Sequence, residues 1–206
     1  MALRLATVTA LASLALARAA AGQNLLVNPD FDVVLQVDGW TENKVWSALD
    51  WEQDPASGSV LNQNVAAIAG NSSLVRQCVP VTEGQPYRVE ARIAVQPGQE
   101  AGFARLSVSW RDLADCYDPG VTFLGFSSTL DAPVTGDFEL VGDTFTAPPQ
   151  SAGADLQLVV YKSADGGTLA ARFDAVYLPE PGRMAQCGIA AAALADVSRR
   201  RRRRPS

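Results

Sequence analysis

From Tyr87 to Val95 every odd-numbered residue is apolar, and three of the four between them, Arg88, Glu90 and Arg92, are charged. Side chains on an extended strand alternate between faces, so this pattern buries one face and wets the other. Residues 104–111 repeat it with Leu106, Val108 and Trp110 on one side, and residues 156–161 are a third, β-rich stretch. Weaker strand candidates cover residues 25–28, 60–65, 74–81, 121–126, 138–146 and 171–178. No stretch between the two ends sustains the i, i+3, i+4, i+7 spacing of an amphipathic helix. Turn chemistry separates the candidates: Thr82-Glu83-Gly84-Gln85-Pro86, Gln96-Pro97-Gly98, Asp118-Pro119-Gly120 and Asp165-Gly166-Gly167. Short strands divided this way predict an all-β fold, an antiparallel β-sandwich or jelly roll with two sheets around one core. No Gly/Ser/Pro linker interrupts residues 24–178, so they are expected to form a single domain. Tyr87, Val89, Ala91, Ile93 and Val95 should face inward with Leu106, Val108 and Trp110, because a one-residue slip would bury Arg88 and Arg92 instead.

Charge narrows the partners. The 206 residues hold 17 Lys+Arg, 22 Asp+Glu and no histidine. Nine of the arginines lie at the two ends, so residues 23–182 keep 8 basic against 21 acidic residues, a charge of -13. Nucleic acid and anionic lipid are poor partners for such a surface, since the phosphate interaction would be repulsive. The absence of histidine removes Ser-His-Asp and Cys-His nucleophile systems and histidine-ligated zinc.

The ends read as addresses. Arg4, the apolar stretch 5–17 and Ala19-Ala20-Ala21 have the order of a secretory signal cleaved after Ala21, so residues 1–21 are expected to be removed on export. The apolar stretch is too short for a membrane span of ~20 residues. The rival reading is an ordinary core helix, for which residues 5–17 offer only Thr7, Thr9 and Ser13 as polar positions.

At the other end, residues 179–206 run through Pro179-Glu180-Pro181, an Ala-rich segment over 188–197 and six arginines at 199–204. This tail resembles the PEP-CTERM sorting signals of Gram-negative bacteria. The resemblance implies a membrane-embedded sorting protease as partner, removal of the tail, and delivery to the outer surface or extracellular matrix. Contact with the membrane would be transient, through signal and tail only, with the arginines held at the cytoplasmic face. Arg183, Gln186 and Asp196 interrupt the apolar part, a departure from the pattern, while Cys187 suits a related tail type that places a cysteine before the apolar run. The alternative is a solvated basic tail with no sorting role.

Three further motifs carry a resemblance for residues 24–178. Asn24-Leu25-Leu26-Val27-Asn28-Pro29-Asp30-Phe31-Asp32 is followed by Gly39-Trp40; Val79-Pro80-Val81-Thr82-Glu83-Gly84-Gln85-Pro86-Tyr87 lies mid-chain; Phe173-Asp174-Ala175-Val176-Tyr177-Leu178 closes it. In this order they resemble the galactose-binding-like jelly rolls, above all carbohydrate-binding modules of the family 4/9 kind. The resemblance implies a polysaccharide or cell-surface glycan as partner. It also implies a structural calcium ion at Asp32 and Asp174, with Asp30 beside them; the alternative is that Asp32 caps a turn and Asp174 bonds a local amide. Trp40 is assigned to the core, as is Trp110 beside Leu106 and Val108.

A sugar site needs flat apolar faces and planar polar side chains. Trp46 and Trp51 have acids and amides close by in sequence and are candidates for it, the alternative being that they pack under a loop. Arg88 and Arg92, with Glu90, line a groove with Arg105, Ser107, Ser109 and Arg111 if those two strands pair; otherwise each is a solvated outer face. Tyr161 and Tyr117 are further candidates. Three functions stay open: a non-catalytic glycan-binding module, a structural or adhesive matrix domain with no defined small ligand, and a carboxylate-based glycan-active enzyme. Two exposed tryptophans on one concave surface would favour the first, and two buried ones the second.

The three cysteines complete the reading. Cys78 and Cys116 lie inside the domain and Cys187 in the tail that sorting would remove, so Cys78–Cys116 is the pairing that leaves no free thiol in an exported domain. The alternative is two buried thiols acting as small apolar residues.

Overall fold

The computed structural model describes residues 23–181. The expected signal segment, and the tail beyond Pro181 with Cys187, lie outside the described residues. Among the described residues nine strands run in chain order: β1 (Lys44–Ser47), β2 (Ser59–Asn64), β3 (Asn71–Pro80), β4 (Pro86–Val95), β5 (Gly102–Arg111), β6 (Phe123–Ser128), β7 (Glu139–Thr146), β8 (Gly153–Lys162) and β9 (Leu169–Tyr177). They form a five-stranded sheet, β1-β2-β9-β4-β7, and a four-stranded sheet, β3-β8-β5-β6. Every neighbouring pair is antiparallel. The domain Asn24–Leu178 is therefore the expected sandwich.

The alternation sets what each sheet buries. Tyr87, Val89, Ala91, Ile93 and Val95 of β4 are all buried, as are Leu106, Val108 and Trp110 of β5, while Arg88 is exposed. These two strands sit in different sheets, with Tyr87 and Trp110 meeting across the core at a ring-centroid distance of 6.3 Å. This corrects one expectation. The polar faces of β4 and β5 do not combine into a groove, because strands that bury their apolar faces against each other must point their polar faces in opposite directions.

Residues 25–28 are not a strand. Asn28 and Phe31 take positive φ angles (49° and 48°), which turns the chain and drops Phe31 onto Trp40 at 5.4 Å between ring centroids. Both rings are fully buried, and the Trp40 indole donates to the Asn28 carbonyl at 3.1 Å. Conversely, β1 was hidden in the sequence, since four residues are too few to show a period.

Polar side chains tie the sheets together from inside. Asn62 of β2 donates to the carbonyls of Ser73 (3.0 Å) and Leu158 (2.9 Å), and Asn64 donates to those of Asn71 (2.7 Å) and Val160 (3.0 Å). Lys162, fully buried, donates to the carbonyls of Ala66, Gly166 and Gly167. At the other end the Tyr87 hydroxyl accepts the Thr82 amide at 2.7 Å. Tyr87→Phe is expected to cost about 1 kcal/mol, one net hydrogen bond, seen as a lower midpoint in urea unfolding. An unchanged midpoint would show that water satisfies that amide equally well.

Cys78 at the end of β3 and Cys116 in the loop after β5 form a disulfide, with 5.8 Å between their Cα atoms. Such bonds persist in oxidising compartments.

Candidate functional site

The outer face of the four-stranded sheet has an unusual distribution of burial. Outward residues in the middle of its two inner strands are covered: Ser107 and Ser109 on β5, and Asp155, Gln157 and Val159 on β8, are all buried. Flanking groups stand clear, with Tyr117 43%, Phe123 47% and Phe126 65% exposed. The face is thus a trough with a polar floor and aromatic sides. Register builds the floor in rows: Arg76, Gln157, Ser107 and Ser128 lie side by side, and Cys78, Asp155, Ser109 and Phe126 form the next row.

Asp155 organises one side. Its carboxylate accepts from the Tyr117 hydroxyl (3.1 Å) and the Gln157 amide (2.9 Å), and lies 3.6 Å from the Arg76 guanidinium. That guanidinium also pairs with Glu42 at 3.0 Å and covers the Tyr117 ring at 4.8 Å. Burial, then the Asp155 charge, pushes the Tyr117 hydroxyl above its ordinary range, so it stays protonated as a donor. The disulfide holds this arrangement, because Cys116 adjoins Tyr117 and Cys78 shares a row with Asp155.

Aromatic pairs mark the two ends. Phe123 and Phe126 lie 4.7 Å apart with Arg111 over Phe123 at 5.4 Å. Phe103 and Tyr161 are stacked at 4.8 Å with Arg105 over Phe103 at 4.2 Å. Phe103 and Ser109, the row of Phe126, are six residues apart on β5, a span of ~20 Å. Four buried side-chain polar atoms among the described residues have no partner, and three of them, Arg76 Nε, Ser109 Oγ and Arg111 Nε, belong to this face. Buried polar groups are ordinarily satisfied, so these three set this face apart from the rest of the described fold.

The candidate residues named from the sequence are spread over both sheets. Tyr161 and Tyr117 belong to the trough. Trp46 and Trp51 do not form a shared platform: Trp46 is cross-strand partner to the core residue Val60 and therefore points inward, its indole donating to the Phe31 carbonyl at 3.0 Å. Trp51 lies outside the five-stranded sheet, under the Arg92 guanidinium at 4.2 Å. Arg88, further along that face, is paired with Glu90 at 2.5 Å. Arg76, Asp155, Gln157, Phe123 and Phe126 escaped notice. A signal existed for two of them: Asp155 and Gln157 are polar interruptions in a strand that is otherwise continuously apolar from Ala154 to Val160.

The acids expected to hold calcium each have protein partners of their own. Asp32 accepts the Val34 amide within its own turn at 2.8 Å. Asp174 is buried and accepts the amides of Trp51 (3.0 Å) and Ala175 (2.7 Å). Burial pushes its carboxyl up to about 7 despite those amides, with the neighbouring Asp50 adding to the rise. Asp30 is also raised, by burial and then by Glu52 and Asp50. Among the described residues no group of three or more His, Cys, Asp or Glu is placed to hold a metal ion. The neighbour that Asp174 does have is Asp50.

No family model matches the sequence, and no curated protein matches it. Solved structures do resemble the fold. The enzymatically active domain of tailspike protein 4 from bacteriophage CBA120 superposes with a TM-score of 0.55 at 12% identity over 77% of this chain, which spans only 21% of that one. A family 16 carbohydrate-binding module gives 0.50 at 18% identity over 76% of this chain and all of the module. A family 4 module gives 0.47 at 14% identity over 76% of this chain and 99% of its own. At such identities the likeness concerns the fold alone: the chain is a single antiparallel β-sandwich of the architecture found in carbohydrate-binding modules.

Proposed function

We propose that the protein is an exported, non-catalytic polysaccharide-binding module, sorted to the bacterial outer surface or matrix through its tail, with the trough on β3-β8-β5-β6 as its binding surface. The observation that carries this reading is a polar floor flanked by two aromatic pairs, Phe123 with Phe126 exposed at one end and Phe103 with Tyr161 half-buried at the other. Aromatic faces receive the C–H groups of sugar rings, and planar guanidinium and amide groups read the hydroxyls. A length of ~20 Å suits a run of several rings rather than one. Asp155, the carboxylate on the floor, is engaged by Arg76, Tyr117 and Gln157, which makes it a fixed orienting group rather than an acid poised for catalysis.

A structural calcium ion belongs to the same proposal in narrower form, at Asp174 and Asp50, with loop carbonyls completing its oxygens. The reading is tested by presenting the full chain to an array of bacterial and plant glycans, with and without a chelator. Retention of linear polysaccharides is expected. A folded protein that retains none would favour the structural-matrix alternative.

A further inference from the structure

A second concavity, of about 370 Å³, lies on the opposite side of the sandwich, outside the five-stranded sheet, where the loop after β1 meets the ends of β4 and β9. Leu49, Trp51 and Phe138 are part of its apolar lining, and its polar lining includes Asp50, Gln96, Asp137 and Arg172. Trp51 is fixed there. Its backbone amide donates to Asp174, and the Arg92 guanidinium covers its ring. The indole N–H groups of Trp40, Trp46 and Trp110 are spent on the Asn28 carbonyl, the Phe31 carbonyl and the Ser127 hydroxyl. That of Trp51 has no acceptor among the described residues.

The polar groups around it are likewise held by one contact and open at another. Gln96 donates its amide to the Gly136 carbonyl at 2.8 Å, which orients its Oε1 and leaves that oxygen to accept. Arg172 touches the Ser47 hydroxyl through Nε at 3.4 Å and makes no ion pair among the described residues, so its terminal nitrogens remain donors. Asp137 supplies an exposed carboxylate. A fixed aromatic ring, planar donors and planar acceptors around a volume near the small end of ligand pockets match one sugar ring and not a chain.

We propose that this pocket is a second carbohydrate site that takes a single terminal sugar. The site stands on its own residues. Only its consequence rests on the trough reading: a module that grips a chain along one sheet and a chain end on the other links two polysaccharides.

The test uses the ¹⁵N-labelled full chain titrated with glucose, galactose, mannose, N-acetylglucosamine and glucuronic acid. One or more of these sugars should move the Trp51 indole cross-peak while those of Trp40, Trp46 and Trp110 stay in place. Arg172→Gln and Asp137→Asn, both on the surface of the fold, should each weaken that response about tenfold, as loss of a charge-assisted hydrogen bond does. Phe126→Ala in the trough should leave it unchanged. An unmoved Trp51 signal with all five sugars, or one that moves equally in both variants, overturns the proposal. Polysaccharide retention that still depends on Phe126 would then leave the trough reading intact. Retention lost with a persisting Trp51 response would do the reverse.

Discussion

Replacing both Cys78 and Cys116 with serine is expected to lower the unfolding free energy by about 3–4 kcal/mol, the chain-entropy value for a closed loop of their 38-residue separation. For a domain of this size that corresponds to a fall in melting temperature of about 10 °C. A second effect should accompany the first. The bond anchors the loop that carries Tyr117 to the strand that carries Arg76, and the Tyr117–Asp155 hydrogen bond and the Arg76–Tyr117 stacking both depend on that anchor. Glycan retention should therefore weaken even at temperatures where the variant is fully folded. Thermal unfolding of the wild type with and without reductant, beside the double serine variant, checks the first part. Equal midpoints in all three would show that the bond stores no stability.

Asp174 should make the metal-free protein lose stability as pH rises. Its carboxyl is held near 7 in the folded chain, above the 3.8 of a free aspartate. Between those values the folded state keeps a proton that the unfolded state releases, so unfolding free energy falls with rising pH across that window and levels off above 7. The full effect is on the order of 4 kcal/mol, because each tenfold gain in proton affinity on folding is worth about 1.4 kcal/mol. Asp174→Asn removes the titration while keeping an oxygen for one of the two amides. In urea unfolding from pH 4 to pH 8 with chelator present, the variant should lack most of the wild-type slope. It should be slightly less stable at pH 4 and as stable or more so at pH 8. Added calcium should stabilise the wild type at pH 8 far more than at pH 5, since a cation competes with the proton for the carboxylate, and should do little for the variant. Identical slopes in the two proteins would show that Asp174 does not titrate this way, and no calcium response would remove the ion.

What the sequence revealed followed from which faces are wet. β4 has one face in the core and one in solvent, so its alternation is clean, and its inward residues could be named. β8 blurs because its outward residues lie on the trough floor and are buried as well, leaving a strand covered on both faces. The same burial that hid the period is what makes the face a site. Trp46 and Trp51 looked like a pair because they are five residues apart, but β1 ends between them. Trp46 stays on the strand's inward side, and the chain then leaves the sheet and lays Trp51 over its outside. Nor does sequence show that β4 and β5, adjacent along the chain, part into different sheets. That choice follows from two apolar faces of matching length, which pack across the core better than they would pair edge to edge.

The most direct test of the trough as the binding surface is affinity electrophoresis of the full chain through gels containing the polysaccharides retained on the array. Wild type is compared with Phe126→Ala, Arg111→Ala and Trp46→Phe. Phe126 and Arg111 are exposed or half-buried groups on the trough, and Trp46 faces the core. Phe126→Ala and Arg111→Ala are each expected to lose most of the retardation, while Trp46→Phe keeps it. Retardation that survives both trough substitutions would contradict a binding surface on this face.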